Sequence, residues 1–387
     1  MNRKSHVIST DYKTGNSMTS GIQEAINALP ESGGTVLIPG GTHKIYQRVS
    51  LKSNVRIIGE GTATVLTRDR IFSMPLTRSC RKGDTKIYIS RPDKLKPGRE
   101  VCVRSEEEYG WNSSHGIVRK INKTSVDVEL FSWNREKEYL LKHNAALYNW
   151  FPCFWMLECE NSIVEDLCID GKLRTHKAYR TDFVTAAVHT RNCRNIRVEN
   201  LTIRNWPSDG VGIQGGSNAI IRGCIVENCR GHGFHPGTGT ENSVWTNNIA
   251  KNNTRDGFFF CMNVRNSVCS NNIFQNNRAN GIGGLGDPDK YNVVSNNVCA
   301  DNGQHGMEAG RSIGNVIQGN LIKNNSQLEP GKFVGIYLSN HKGNTVTGNQ
   351  CCDDQQPPTQ TRGVVSLNPG PNNFISGNHE FLMPTDI

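Results

Sequence analysis

Histidines and carboxylates recur beside glycines at regular intervals in the middle of the chain. The residues directly before successive glycines are Asp209, His232, Asp256, Asn280 and His305, and those two positions after glycines include His235, Phe259, Glu308 and Tyr337. Imidazole and carboxylate groups exchange protons near neutral pH, so they are the usual groups of general acid–base catalysis. The pattern therefore predicts an acid–base site that several segments of the chain build together.

The spacing of these segments predicts the scaffold that positions them. The glycines are Gly210, Gly233, Gly257, Gly281, Gly306, Gly335 and Gly363, and each is followed by an apolar residue. A column of turn residues, Asn205, Asn228, Asn252, Asn276, Asp301 and Asn324, keeps the same period of about 24. Short strands at such a period, separated by Asn and Gly turns, are typical of a solenoid. We expect coils stacked about 4.8 Å apart, with the Asn column in a structural role.

Strand alternation predicts which residues reach the surface. The apolar residue after each glycine should face the core, so the next residue should face outward. His235, Phe259, Glu308 and Tyr337 would then share one exposed strip, in which glycines leave gaps for a ligand. The residues before the glycines lie at a bend, so the sequence leaves their direction open.

A short helix is predicted near the N-terminus. Apolar residues between Gly21 and Leu29 have helical spacing, Ser20 is a candidate N-cap, and Pro30 ends the pattern.

Residues 77–150 differ from the repeats because they combine dense charge with alternating strand patterns. They predict a β-rich insertion, and the pattern favours core positions for its tryptophans, Trp111, Trp133 and Trp150. We divide the chain into a cap with the first coils (1–76), this insertion (77–150) and the coils that carry the site (151–387).

Charge and hydropathy exclude some classes of protein. The net charge of +9 comes from 44 Lys and Arg against 35 Asp and Glu, without a strongly basic segment. This balance favours an acidic glycan over nucleic acid as the partner. No apolar run approaches the roughly 18 residues of a membrane span, and the first residues show no apolar signal core. The location stays open between the cytoplasm, a virion and a mature secreted form.

The thirteen cysteines lack the paired CxxC spacing and the matching histidines of a zinc site. We therefore predict reduced, buried thiols, and no cofactor that the sequence requires. Asp287 and Asp289 are a candidate calcium pair, although two carboxylates in a turn are more often turn formers.

The start of the chain resembles a known superfamily. Gly21-Ile22-Gln23-Glu24-Ala25-Ile26 and Gly34-Thr35-Val36-Leu37-Ile38-Pro39 look like the cap and first coil of the pectate-lyase-like superfamily. The resemblance implies an all-β fold, a single-stranded right-handed parallel β-helix with a short N-terminal capping helix, here with a β-rich insertion. The superfamily contains lyases, hydrolases, epimerases and phage tailspikes, so the fold does not fix the reaction.

A second, partial resemblance is to mannuronan epimerases. It rests on Phe234, Pro236 and the Asp-Gly-Phe segment at 256–258. The family has Gly-Phe-Asp-Pro-His in the first segment, so His235 stands at the family's Asp and Gly237 at its His. The acid–base assignment of the family therefore does not carry over.

The sequence favours β-elimination in a uronate-containing polysaccharide, with C-5 epimerisation as an alternative that shares the same first proton abstraction. We assign catalytic roles to His235, His232, Asp256, Arg255, Asp209 and Glu308. In this hypothesis His235 is the base, and His232 or Arg255 faces the substrate carboxylate. Substrate binding is assigned to His305, Lys290, Tyr337, Phe259, Arg174 and Arg180, the last two in a basic loop.

Three alternatives stay open. Asp209 and Asp256 lie two coils apart, about 9.6 Å by strand spacing, near the upper end of the separation in inverting glycoside hydrolases. The histidines and aspartates could instead pair with one another for structural reasons alone. The chain could also be a tailspike-like adhesin that binds a glycan without altering it, as a monomer or as an oligomer such as a trimer.

Overall fold

The computed structural model describes residues 4–105, 113–131, 138–173, 183–286 and 288–382. One α-helix lies near the start, Ile22–Ala28. The described residues also contain four short 3-10 helices, which are Ser9–Tyr12, Pro92–Lys94, Leu141–His143 and Phe183–Thr185. Within the described residues no helix has the length and apolar character that crossing a bilayer requires.

The α-helix forms where the sequence predicted it, but its cap differs. The Thr19 hydroxyl, and not that of Ser20, accepts a hydrogen bond from the Gln23 N–H at 3.1 Å. Ser20 has a φ of 55° and its hydroxyl donates to the carbonyl of Lys44. The Ser20 hydroxyl therefore bonds to the strand that contains Lys44 and does not cap the helix, so the predicted N-cap is wrong.

Two parallel sheets wind around one apolar core and form a β-helix. The larger sheet contains two columns of short strands, one after the other in each coil. Its strands are His6–Ile8, Gly34–Leu37, Gly41–Lys44, Val55–Thr67, Ile163–Asp170, Arg197–Glu199, Thr202–Arg204, Ile220–Arg222, Ile225–Glu227, Val244–Thr246, Ile249–Lys251, Val268–Ser270, Ile273–Gln275, Val293–Ser295, Val298–Ala300, Val316–Gln318, Leu321–Lys323, Thr345–Thr347, Gln350–Asp353, Phe374–Ser376 and His379–Leu382.

The second parallel sheet has ten strands and carries the glycine column at the start of its later strands. These strands are Val49–Ser50, Phe154–Leu157, Val188–Arg194, Val211–Ser217, Phe234–Gly237, Phe258–Phe259, Ile282–Gly283, Met307–Gly310, Ile336–Ser339 and Val364–Leu367. The first residue of most of these strands lies in the core, as alternation predicted. Phe234, for example, pairs with Phe258 and both are fully buried.

Asparagine has two distinct roles at the corners of the coils. The predicted Asn column adopts the left-handed conformation that Asn tolerates well, as at Asn252 and Asn276 with φ near 55°. The hydrogen-bonded ladder is formed by the residues that follow, where Asn253 Nδ2 donates to Asn277 Oδ1 at 3.0 Å and Asn277 Nδ2 donates to Asn302 Oδ1 at 3.1 Å. The structural role of the predicted column is as expected. The asparagines that form hydrogen bonds from coil to coil belong to a second column, one residue further along the chain.

A six-stranded antiparallel sheet interrupts the coils after the first turns. Its strands are Ser73–Pro75, Lys86–Tyr88, Glu100–Arg104, Ser113–Ile121, Ser125–Leu130 and Ala146–Tyr148. It has a separate apolar core, and Trp150 is buried beside it. Trp111 and Trp133 lie outside the described residues.

The insertion contacts the outer face of the ten-stranded sheet through one buried arginine. Arg48 forms an ion pair with Glu100 of the insertion, and both side chains are almost fully buried. The Arg48 guanidinium lies 4.3 Å from the Phe131 ring and 4.4 Å from the Trp155 ring. The insertion is therefore held against the first coils of this face.

All thirteen cysteines are free thiols, in agreement with the prediction, and all but Cys261 are buried.

Candidate active site

The candidate site lies on the outer face of the ten-stranded sheet. The register pairs His235 with Gly212, Phe259 with Gly283, and Glu308 with Tyr337. His235, Phe259, Glu308 and Tyr337 all lie outside the apolar core, as alternation predicted. The prediction that this strip is exposed is wrong for His235, which is only 5% exposed. The rings of Phe183 and Phe259 contact it at centroid distances of 6.1 Å and 5.3 Å.

Asp209 and His235 form a buried ion pair. His235 Nδ1 lies 2.7 Å from Asp209 Oδ2, and Asp209 Oδ1 accepts the backbone N–H of His232 at 2.8 Å. Burial opposes both charges, but the hydrogen bond with Asp209 raises the pKa of His235 to about 10. The same contact lowers the pKa of Asp209 to about 2, against the effect of burial. At neutral pH His235 is thus an imidazolium, which favours a cationic role over the predicted role of base.

His232 and Asp256 form a second pair, one coil further on. His232 Nδ1 lies 2.9 Å from Asp256 Oδ2 and 3.3 Å from the Asp256 backbone N. The His232 ring stacks on Phe259 at a centroid distance of 4.3 Å. The bend that precedes the glycines therefore turns these side chains toward the same face as His235.

Asn280 joins Asp256 to Glu308. Its backbone N–H donates to Asp256 Oδ1 at 2.9 Å, and its side-chain amide donates to Glu308 Oε2 at 3.1 Å. Burial, and then the charge of Asp256, raise the pKa of Glu308, while the Asn280 amide opposes that shift. Gly283 lies between these groups, and a Cβ there would approach Asp256 Oδ1 to 2.6 Å. The glycine thus leaves the space in which the Asp256 carboxylate sits.

His305 supports this cluster from the next coil. Its backbone N–H donates to Asn280 Oδ1 at 3.0 Å, and its Nδ1 accepts the Val334 N–H at 3.0 Å. Burial lowers the pKa of His305 to about 4, so the ring is neutral at physiological pH. It stacks on Tyr337 at 4.9 Å and thereby orients that phenol beside Glu308.

The other predicted site residues are not part of this cluster as the structure describes it. Arg255 is exposed on the turn before Asp256, and no contact of its side chain with the cluster is seen among the described residues. Lys290 lies at the opposite end of the sheet's strands, beside the ring of its neighbour Tyr291. Arg174 and Arg180, with most of the basic loop, lie outside the described residues.

The candidate calcium pair is described only in part, because Asp287 also lies outside the described residues. Asp289 is fully buried, and its carboxylate accepts the backbone N–H groups of Val264 at 2.6 Å and Gly286 at 2.9 Å. These contacts favour the turn-forming role for Asp289.

The sequence reasoning missed three features of this face. Asn280 was placed in the column, but no role was given to it. Cys261 was not singled out, although it lies two residues after Phe259 and therefore on the same face. His189 stacks on Trp155 at 4.7 Å and pairs with Gly212. The coil between Trp155 and His189 is longer than the period of about 24, so the repeat pattern does not point to His189.

Asp209, His232 and His235 could also hold a metal ion. Each offers one ligand atom, and these atoms all lie within 4.8 Å of one another. Both oxygens of Asp209 already accept hydrogen bonds, however, so an ion would have to replace the contact with His235.

Comparisons with known proteins agree with this architecture. Residues 186–351 match the family described as the right handed beta helix region. The chain is thus a right-handed parallel β-helix, as the sequence resemblance implied. No curated protein matches the sequence.

Several solved structures share the fold over nearly the whole chain. The mannuronan C-5 epimerase AlgE6 A-module of Azotobacter vinelandii is 15% identical, with a TM-score of 0.54 over 97% of this chain and 98% of its own. The DFA-IIIase of Arthrobacter chlorophenolicus A6 is 15% identical, with a TM-score of 0.59 over 99% and 86%. ORF18 of Geobacillus virus E2 is 15% identical, with a TM-score of 0.61 over 97% and 62%. At these identities the likeness shows the fold alone.

Proposed function

We propose that this chain is a carbohydrate-active enzyme that hydrolyses a glycosidic bond in a polysaccharide, with Glu308 as the proton donor and Asp256 as its carboxylate partner. The observation that carries the proposal is the arrangement of the two carboxyl groups around Asn280 and Gly283. Burial and the charge of Asp256 keep a proton on Glu308 to higher pH than usual. A pair of Asp or Glu side chains beside the scissile bond is the usual catalytic equipment of glycoside hydrolysis.

Each group has a distinct task in this reaction. Protonated Glu308 donates to the glycosidic oxygen as the bond to the leaving sugar breaks. The Asp256 carboxylate stabilises the developing positive charge on the sugar ring, or activates the water that attacks it. Asn280 keeps Glu308 Oε2 as a hydrogen-bond acceptor, which leaves the other oxygen for the proton. We favour this pair over Asp209 and Asp256, because the pKa of Glu308 is raised, as a proton donor requires, whereas that of Asp209 is lowered to about 2.

A second reaction, β-elimination or C-5 epimerisation of a uronate, is favoured by one specific observation. The buried imidazolium of His235 lies on the same face and would neutralise a substrate carboxylate, which proton abstraction at the adjacent carbon requires. His232 would then be the nearest ring to serve as the base. The likeness to a mannuronan C-5 epimerase supports action on a polysaccharide, although it does not distinguish the reactions.

One assay separates these reactions. The protein is incubated with a panel of neutral and uronate-containing polysaccharides. New reducing ends without ultraviolet absorbance support hydrolysis, unsaturated absorbing ends support elimination, and a changed proton spectrum without cleavage supports epimerisation. A polymer that binds and stays unaltered under all conditions supports the adhesin and contradicts the proposal.

Variants then test the assigned groups. Glu308→Gln keeps the hydrogen bond from Asn280 but removes the transferable proton, so we expect a loss of at least about 100-fold in kcat. The control is Glu329→Gln, which alters only an exposed ion pair with Lys332. Full activity in Glu308→Gln would exclude this residue as the acid.

A further inference from the structure

Cys261 differs from the other twelve cysteines in its position. It is the one thiol that is not buried, and it lies two residues after the strand Phe258–Phe259 of the candidate site. A bridge pairs it with Gly237 in the preceding coil, two residues after His235. Since alternate residues share a face, Cys261 projects from the same side of the sheet as His235 and Phe259.

The thiol has a specific neighbour on that face. Burial lowers the pKa of His235 whereas Asp209 and Cys261 raise it, so the thiol lies near the ring whose Nδ1 is bound to Asp209. His235 Nε2 is buried and has no hydrogen-bond partner within the part of the chain that the structure describes. A partly exposed thiol, an imidazole and a carboxylate thus follow one another across three successive coils. In other proteins, a positive charge beside a partly exposed cysteine favours the nucleophilic form of sulfur.

We propose that Cys261 is a modification site for soft electrophiles, activated by His235 and Asp209, at which a covalent adduct occupies the candidate site. With a haloacetamide, the sulfur lone pair forms a bond to the methylene carbon, the carbon–halogen bond breaks and halide leaves. The thiol proton passes to solvent, because His235 already holds a proton. The inference does not depend on which carbohydrate reaction the site performs.

The first experiment uses the unaltered protein. Iodoacetamide is added under native conditions, and adducts are located by peptide mass mapping at successive times. We expect one adduct, on Cys261, formed at least tenfold faster than on any other cysteine, whereas all thirteen react after denaturation. Labelling spread over several cysteines, or no labelling of Cys261, would overturn the proposal without any variant.

The second experiment tests the neighbouring charge. Anionic iodoacetate and neutral iodoacetamide are compared, because a buried imidazolium should attract the anion. We expect the ratio of the iodoacetate rate to the iodoacetamide rate to exceed that of glutathione by at least threefold. In His235→Gln we expect the rate at Cys261 to fall at least tenfold and the ratio to approach that of glutathione.

Matched variants complete the test. Cys352→Ser removes a thiol on the other sheet and should leave the labelling unchanged, while Cys261→Ser should abolish fast labelling. If His235→Gln fails to fold, the ratio of the iodoacetate rate to the iodoacetamide rate in the unaltered protein is the test. A ratio equal to that of glutathione contradicts a cation beside the thiol.

Discussion

The side-chain amide of Asn280 donates to Glu308 Oε2 at 3.1 Å, so an uncharged residue fixes the orientation of the carboxyl group with the raised pKa. Its backbone N–H holds Asp256 at the same time, and its side-chain oxygen accepts the His305 N–H. Three successive coils thus converge on a single asparagine. The distances among these groups are determined by backbone stacking more than by side-chain freedom.

Asn280→Ala should shift the pH dependence of activity. The amide stabilises ionised Glu308, so its removal raises the pKa of Glu308 further. The acid then stays protonated to higher pH, and the alkaline limb of kcat/KM moves to higher pH. We also expect kcat to fall about tenfold because the carboxyl group loses its orientation. A pH–rate profile measures both, with exposed Gln318→Ala as the control; a limb that moves to lower pH contradicts the assigned hydrogen bond.

Asp209→Asn should change the pH dependence of stability. The raised pKa of His235 means that its ion pair stabilises the fold fully below about pH 6.5 and that this contribution is lost as pH rises through about 10. The lowered pKa of Asp209 gives a contribution present above about pH 3.8 and lost as pH falls through about 2. Removal of one charge from the buried pair should cost about 3–5 kcal/mol at pH 6.

Urea unfolding between pH 6 and pH 9.5 tests this expectation. The free energy of unfolding of the unaltered protein should fall more over that range than that of Asp209→Asn. Other titrating groups are the same in both proteins, so their contributions cancel in the difference between the two pH curves. Parallel curves would show that the pair is not charged in the folded protein.

Gly283→Ala should impair activity with a modest effect on the fold. The new Cβ would approach Asp256 Oδ1 to 2.6 Å and Asn280 Nδ2 to 3.0 Å, so the carboxylate must move. A displacement of that size should lower kcat about 10- to 100-fold. Gly310→Ala is the control, since its Cβ would meet only the hydroxyl of Ser339 at 3.2 Å. Equal activity of the two variants would contradict the role of the Gly283 gap.

Two neighbouring asparagines should respond very differently to substitution. Asn297 accepts hydrogen bonds from the N–H and amide of Asn272 and donates to the Cys269 carbonyl, so Asn297→Ala should cost at least about 3 kcal/mol. Asn296 is exposed with a φ of 55°, which glycine adopts readily. Asn296→Gly should change stability by less than about 1 kcal/mol. Denaturant midpoints of both variants give the comparison, and similar losses would contradict the two roles.

Much of the fold could be predicted because each coil needs the same residue types at the same positions. The left-handed corner needs Asn or Gly, and the strand after the glycine needs an inward apolar residue, as at Phe234 and Phe258. Both requirements leave a period that the sequence shows directly. Trp150 is buried as predicted, although it lies at the insertion and not in a repeating coil.

The site was less predictable, because its geometry depends on the bends. Alternation gave the face of His235 but not its burial, which arises from Phe183 and Phe259. Whether Asp209 and Asp256 point outward or inward depends on backbone angles at the corner, which spacing alone does not give. The contact of Asp209 with His235, which raises the pKa of His235, therefore did not follow from the spacing alone.

The stacking of coils has a consequence for how such a site can change. Asp209, Asp256 and Glu308 belong to different coils, and neighbouring strands are separated by about 4.8 Å. The site can therefore lengthen or shorten only by whole coils, that is, in steps of about 4.8 Å. Gain of one coil between Asp256 and Glu308 would move the two carboxyl groups apart, and loss of one would bring them together. A lengthened corner loop would leave their spacing intact. Diversification of such a site is thus expected at the corners, with the number of coils between the two carboxyl groups held constant.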